Sequence, residues 1–401
     1  MNILFLTLVE IDTIDERGIF EDLLRKFKNE GHDLTVVTSK ERRTGIKTNL
    51  KISDGVTLLQ VKTLNIQKNS ILEKGIGILA VEFQYLKAVK KYLNIKKFDL
   101  ILYTTPPITF VKVINYIKRR DNAYAYLLLK DIFPQNAVDL NFIKKDTFIH
   151  KYFRKKEKAL YEISDTIGCM SPANINYLLK NNPELDAKNI EINPNVIEPI
   201  HFNPSLIQKE EIRVKYQLPL DKKILVYGGN LGKPQGLSFL LESILTIKNE
   251  KCFFLIVGSG TEYSRINEWF IENQPKNAML ISKLSKKEYD QLLSTCDIGL
   301  LFLDNRFTIP NFPSRLLSYL EMKLPIIAAT DAFTDIGTII EEHNCGYKVL
   351  AGDKADMKEK VESLLQQNLE EMGENAYNLL INNYTVEISY QKIIEKLKPY
   401  S

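Results

Sequence analysis

The stretch KILVYGGNLGKPQGLSFLL, Lys223–Leu241, reads as a strand, a glycine-rich turn and the start of a helix. Ile224 to Tyr227 form a continuous apolar run of strand type, and Gly228 and Gly229 then permit a tight turn with no side chain in the way. A backbone free of Cβ atoms can bring its N–H groups against a phosphate. The N-terminus of the following helix adds positive potential there, and Lys233 adds formal charge. The same residues also describe a plain strand-to-helix turn with no ligand. The stretch by itself leaves both readings open.

Working outward, the chain on the C-terminal side repeats the alternation. Strands are expected at Cys252–Val257, Met279–Ile281, Ile298–Leu303, Pro325–Ala329 and Gly346–Val349, with helices through Phe270, at Lys286–Leu293, Ser314–Lys323 and Asp335–Glu342, and from Asp356. On the N-terminal side Asn193-Pro194-Asn195-Val196, followed by Pro199 and Pro204, marks a linker. Before it comes a second alternating series. It has strand Asn2–Val9, helix Gly18–Glu30, strand Asp33–Thr38, strand Val56–Val61, helix Ile78–Leu93, strand Leu100–Tyr103, a helix to about Arg120, and strands Ala123–Leu129 and Thr166–Met170. The pattern predicts an α/β chain of two doubly wound, Rossmann-like domains, 1–200 and 201–375, facing a common cleft. The segment 376–401 is helical in period with no strand to pair with, and so can cross back to the first domain.

Composition agrees with two folded domains: 401 residues, 44% of them hydrophobic. A net charge of +4 is too small for a general nucleic-acid binder. Cys169, Cys252, Cys296 and Cys345 are widely spaced, and His32, His150, His201 and His343 are not at ligand spacing. Buried thiols in a reducing cytosol and no metal site are expected. The opening LTLVEIDTIDERG carries no Gly-x-Gly-x-x-Gly, which argues against a nicotinamide or flavin at the first turn. No apolar run reaches membrane-spanning length, Ile76–Val81 being stopped by Glu82. The protein is expected to be cytoplasmic, with any membrane contact peripheral.

Two further places attract chemistry. Asp131, just after the strand that ends at Leu129, stands at an active-site position; as a turn cap beside Pro134 it would have no such role. Lys144–Lys158 carries seven basic residues against Asp146 and Glu157, with Phe148, Ile149, Tyr152 and Phe153 as an apolar stripe. Such a helix can lie on an anionic bilayer surface, or it can be a solvated charged face.

Four motifs then occur in order: Asp131-Ile132-Phe133-Pro134; Gly229-Asn230-Leu231-Gly232 with Gln235-Gly236-Leu237; Val257-Gly258-Ser259-Gly260; and Pro313-Ser314-Arg315-Leu316-Leu317-Ser318-Tyr319 before Pro325-Ile326-Ile327-Ala328. Over nearly its whole length the chain resembles the family 4 retaining glycosyltransferases of the GT-B fold, in the bacterial surface-polysaccharide branch (capsule and O-antigen). The resemblance implies a nucleotide-diphosphate sugar, UDP foremost, in the second domain. Gly229 and Asn230 would face the diphosphate, Lys233 or Arg315 would neutralise it, and the helix starting near Ser314, after Pro313, would point its N-terminus at it. Gln235 and Ser318 would contact the donor, and Gly258 and the backbone near Leu284 would border the nucleoside. Gly18 would let the first domain's loop approach the diphosphate, and Asp131 would orient the acceptor hydroxyl. The acceptor implied is a lipid-linked saccharide, the transferred sugar a hexose that includes the N-acetylated hexosamine type, and no metal or other cofactor is required. The membrane partner would be reached through residues 144–158.

The sequence departs from the family at one place. Many members carry paired glutamates eight positions apart where this chain has Pro310 and Ser318, and Lys323 stands where a glycine is usual. Neither Pro310 nor Ser318 can accept a hydrogen bond of charged strength. Glu321, one turn on, would substitute only if the helix were rotated. A non-catalytic partner subunit would explain the missing glutamates, and a nucleotide-sugar epimerase of the same fold would share the second-domain phosphate site; both are alternatives to a transferase.

Overall fold

Two parallel sheets, each built from near-continuous apolar strands, organise the chain. The computed structural model describes residues 1–65, 71–200 and 208–397, without the side chains of 71–76 and 78. Pro204 of the expected linker, His201, residues 398–401 of the expected last helical segment, and the side chain of Ile76 lie outside the described residues. The chain divides into two compact units: Met1–Glu198 together with the segment from Val386, and Pro199–Thr385.

The first unit holds β1 (Asn2–Leu6), β2 (Asp33–Glu41), β3 (Asn49–Ser53), β4 (Val56–Thr63), β5 (Leu100–Thr104), β6 (Tyr124–Leu129), β7 (Thr166–Cys169) and β8 (Ile190–Ile192). Their order in the sheet is β3-β4-β2-β1-β5-β6-β7-β8, parallel throughout except for β3, which runs antiparallel on β4 at the edge. Alternation sorts the side chains to two faces. Leu4, Leu6, Ile101 and Tyr103 enter one core, and Ile3, Phe5, Leu100 and Leu102 the other. The second core is completed by Val386, Tyr390, Ile393 and Leu397, from the helix Val386–Leu397. That helix packs on Ile19–Asn29, where the Tyr390 ring meets Phe27 edge-on at 5.0 Å.

The second unit has β9 (Lys223–Asn230), β10 (Cys252–Ser259), β11 (Ala278–Ile281), β12 (Ile298–Phe302), β13 (Ile326–Thr330) and β14 (Gly346–Leu350), ordered β11-β10-β9-β12-β13-β14 and all parallel. The order reverses between β9 and β12, the place where doubly wound sheets open a crevice at their carboxyl ends. Only Leu225 and Val226 of β9 pair with β12. Beyond them the Tyr319 hydroxyl fills the gap, lying 3.2 Å from the carbonyls of both Val226 and Leu300 and accepting from the Gly228 N–H at 3.1 Å. Gly299 leaves room for that ring, since a Cβ there would come within 2.6 Å of it.

Several expectations need correction. Gly228 and Gly229 are not the turn: β9 continues to Asn230, paired with β10 as far as Ser259, and the turn comes afterwards in a short 3-10 helix, Lys233–Gln235. The segment 376–401 is not one helix as far as it is described, since Leu369–Asn383 ends at Tyr384 and a new helix starts at Val386. Strands β3 and β8 and the helix Pro172–Asn181 fall in stretches where no element was expected. The four cysteines are all buried and unpaired. Among the described residues no helix is long and apolar enough to cross a membrane.

Candidate functional site

At the carboxyl ends of β9 and β10 two strand tips run side by side with almost no side chains between them. Gly229 has φ +118 and Gly258 has φ +159, both outside the comfortable range of other residues. A Cβ on Gly258 would lie 1.9 Å from the Gly229 carbonyl oxygen. The two glycines therefore serve close approach of backbone to backbone, and they leave an open recess of about 430 Å³ above it. Gly229, Asn230, Gly258, Ser259, Leu284 and Tyr289 line this recess together with Lys283 and Lys286. Of the residues expected here, Gly229, Asn230, Gly258 and Leu284 are brought together.

Arg315 reaches the same place from the first turn of the helix Arg315–Glu321. Its Nη2 donates to Gln235 at 2.7 Å, and its guanidinium lies 4.3 Å from the centre of the Tyr227 ring. The Tyr227 hydroxyl donates in turn to the Asn230 carbonyl at 2.9 Å. The Nη1 of Arg315 is buried and has no hydrogen-bond partner among the described residues. A Cβ on Gly229 would stand 3.9 Å from the guanidinium, so the glycine and the cation adjoin. A half-buried cation with a buried, unused donor beside a glycine-walled recess is complementary to an anion.

The other expected residues fall as follows. Lys233 is exposed on the 3-10 turn and does not line the recess. Pro313 and Ser314 precede the seven-residue helix of Arg315, where the Ser314 side chain makes no cap hydrogen bond. Ser318 is half-buried on that helix. Glu321 does not rotate toward the recess: it is buried and accepts the Ile200 backbone N–H at 3.0 Å. Lys283, Lys286 and Tyr289 were not anticipated. The signal for them was Ser285-x-x-Glu288, a capping box that starts the helix Lys286–Leu293 at the rim of the recess.

In the first unit, Asp131 follows β6. It is not a helix cap: the helix Gln135–Asp139 begins after Pro134, and both carboxylate oxygens of Asp131 accept from Asn136 Nδ2 at 2.8 Å. Burial pushes its carboxyl up to about 6, and burial also pulls the neighbouring Lys130 ammonium down to about 7. Thr105 Oγ1 receives the backbone N–H of both residues and donates to the Asp131 carbonyl, fixing the loop. Gly18 belongs to this unit, where it precedes the helix Ile19–Asn29 with extended backbone.

The basic segment forms the helix Phe148–Ile163. Phe153 is in the core, whereas Phe148 is 84% exposed and Ile149 57%. Arg154 pairs with Glu157, Lys156 with Glu82 at 2.8 Å and Lys158 with Glu184 at 2.8 Å. Much of its charge is therefore locally compensated.

Residues 208–379 match the family model Glycosyl transferases group 1. The chain is 24% identical over 386 residues to the probable glycosyltransferase WbjE of Pseudomonas aeruginosa, covering 95% of this chain and 93% of that one. It is 26% identical over 156 residues, 39% of this chain and 38% of the other, to the putative colanic acid biosynthesis glycosyl transferase WcaI of Escherichia coli K12. Among solved structures, a sucrose-phosphate synthase from Thermosynechococcus elongatus superposes with a TM-score of 0.75 at 14% identity, covering 100% of both chains. Anabaena HepE in complex with UDP-glucose superposes with a TM-score of 0.67, also at 14% identity and covering 100% of both. The fold is GT-B.

Proposed function

We propose that this chain, whose residues 208–379 match the Glycosyl transferases group 1 model and whose fold is GT-B, moves a hexose-type sugar from a nucleotide diphosphate, UDP foremost, to a lipid-linked saccharide with retention, in surface-polysaccharide synthesis. The observation that carries the reading is the unpartnered, buried Nη1 of Arg315 beside Gly229. Departure of a nucleoside diphosphate places negative charge on its oxygens, and a fixed cation with a free donor meets that charge without reorganising. Gly229 and Asn230 would bring backbone close to the diphosphate, Lys233 would add charge from the turn, and the recess bordered by Gly258, Lys283 and Leu284 would take the nucleoside. With arginine and lysine supplying the charge, transfer would need no metal. Asp131, ionised above about pH 6, would orient the acceptor hydroxyl. A lipid-linked acceptor brings the enzyme to the inner face of the membrane, where Phe148, Ile149 and the lysines of 144–158 would touch it. The names of WbjE and WcaI, and the UDP-glucose complex of HepE, support this reading by likeness.

Calorimetric titration with UDP tests it. Arg315→Gln should bind UDP about 10- to 100-fold more weakly, the worth of a charge-assisted hydrogen bond, and Lys233→Ala should lose less because its charge is solvated. UDP affinity unchanged in both variants would remove the diphosphate from this site. Full activity in EDTA is expected; its loss would end the metal-free mechanism.

A further inference from the structure

Tyr289 lines the recess of the second unit and brings a hydroxyl to it. The capping box of Ser285 and Glu288 fixes where the helix Lys286–Leu293 begins, and Tyr289 stands in its first turn. From there the half-buried side chain runs to the tip of β9: a Cβ on Gly228 would lie 1.8 Å from the Tyr289 hydroxyl oxygen, so any larger residue would displace that hydroxyl. The next residue, Gly229, adjoins the Arg315 guanidinium. Two neighbouring glycines thus hold a phenol hydroxyl and a cation at one strand end. Other phenols of this corner are occupied, Tyr227 donating to the Asn230 carbonyl at 2.9 Å and Tyr319 bridging β9 and β12. Among the described residues the Tyr289 hydroxyl has no hydrogen-bond partner. Burial pushes its pKa well above the usual phenol range, against the opposing effect of Arg315, so it stays a neutral donor.

We propose that the Tyr289 hydroxyl donates to the inner phosphate of the bound nucleotide, the one attached to the nucleoside, and leaves the outer phosphate to Arg315. This rests on the nucleotide reading of the recess and gives one more residue a place in it. Order along the site supports the assignment. Leu284 and Tyr289 line the recess with Gly258, whereas Arg315 stands beside Gly229 and is not part of the lining. A nucleoside bordered by Gly258 and Leu284 therefore meets Tyr289 before its phosphates come to Arg315. The chemistry follows the same order. When the bond from sugar to phosphate breaks, its electron pair goes to an oxygen of the outer phosphate, while the inner phosphate carries one negative charge before and after. A fixed cation serves the first, and a neutral hydroxyl is enough for the second.

Titration of the full chain with uridine, UMP and UDP tests this in Tyr289→Phe, which keeps the ring against Gly228 and removes only the hydroxyl. The variant should bind UMP and UDP each about tenfold more weakly, and uridine as the parent does. Arg315→Gln should lose more for UDP than for UMP. UMP bound by Tyr289→Phe as tightly as by the parent would overturn the proposal. A loss for uridine as large as that for UMP would overturn it too, since the tyrosine would then be only a wall of the recess. So would a loss confined to UDP, which would move the hydroxyl to the outer phosphate. A parent that binds UDP, with Arg315→Gln weakened and Tyr289→Phe unaffected, keeps the nucleotide reading and drops this assignment; a parent that binds neither UMP nor UDP ends both.

Discussion

Asp131 shows what burial does to one carboxyl group. Its proton is held up to about 6, so the form able to accept a proton grows as pH rises through that value. The transfer rate should therefore climb through pH 6 in the parent, and Asp131→Asn should be slower by at least about a hundredfold and lack that limb. A pH–rate profile of the two proteins checks both points. The same shift has a consequence for stability. Because the folded protein holds this proton more tightly than the unfolded chain, the group's contribution falls as pH rises from about 4 through 6. Urea midpoints of the parent and Asp131→Asn should converge at pH 4 and separate at pH 7.5, with the variant the more stable there. Lys323 teaches a different point. It stands where glycine is usual in the resembled family, and its φ of +55 is in the left-handed region that glycine tolerates best. Its ammonium pairs with Glu374 at 2.6 Å, across an exposed contact of small worth. Lys323→Gly should thus be neutral or stabilising by up to about 1 kcal/mol in thermal unfolding. A loss above that would mean the ion pair outweighs the strain.

Strands β9 and β10 were legible because their apolar runs are unbroken and their glycines fall at the tips. What escaped was the extent of the ladder, since Gly228 and Gly229 look like a turn until one sees that Gly258 must lie against Gly229. Gly258→Ala should accordingly unpick the site: with its Cβ 1.9 Å from a carbonyl oxygen, we expect a loss of about 1 to 3 kcal/mol in stability and of measurable UDP binding. Ser259→Ala, one residue on and exposed, should unfold like the parent. β3 was missed for the opposite reason. Leu50 and Ile52 are 43% and 78% exposed, so the apolar residues of this edge strand mark no buried face. The basic helix was readable as a helix and not as a surface, because Glu82 and Glu184, which pair with two of its lysines, come from distant parts of the chain. Glu321 likewise gave no hint of Ile200, its partner across 121 positions of sequence.

At the scale of the molecule, the membrane role of residues 144–158 is open to a direct measurement. Among the described residues Lys144, Lys145, Lys151 and Lys155 form no ion pair, unlike Arg154, Lys156 and Lys158, and near an anionic surface each basic residue contributes about 1 kcal/mol. Co-sedimentation with anionic vesicles should fall steeply with salt, and further when Lys144, Lys145, Lys151 and Lys155 become Gln. A chain that ignores such vesicles at low salt does not use this face. The return of the chain at Val386 matters in another way. Each of Val386, Tyr390, Ile393 and Leu397 adds about 1.5 to 3 kcal/mol to the core of the first unit, a sum comparable with the whole stability of an ordinary domain. Chains stopped at Thr385 should therefore aggregate during expression, while the second unit within them still binds UDP. On the ribosome, all of the second unit is synthesised between the body of the first and the helix that completes it. The part of the protein made first is thus the last to be finished, and until then Phe27 and its neighbours are exposed to chaperones.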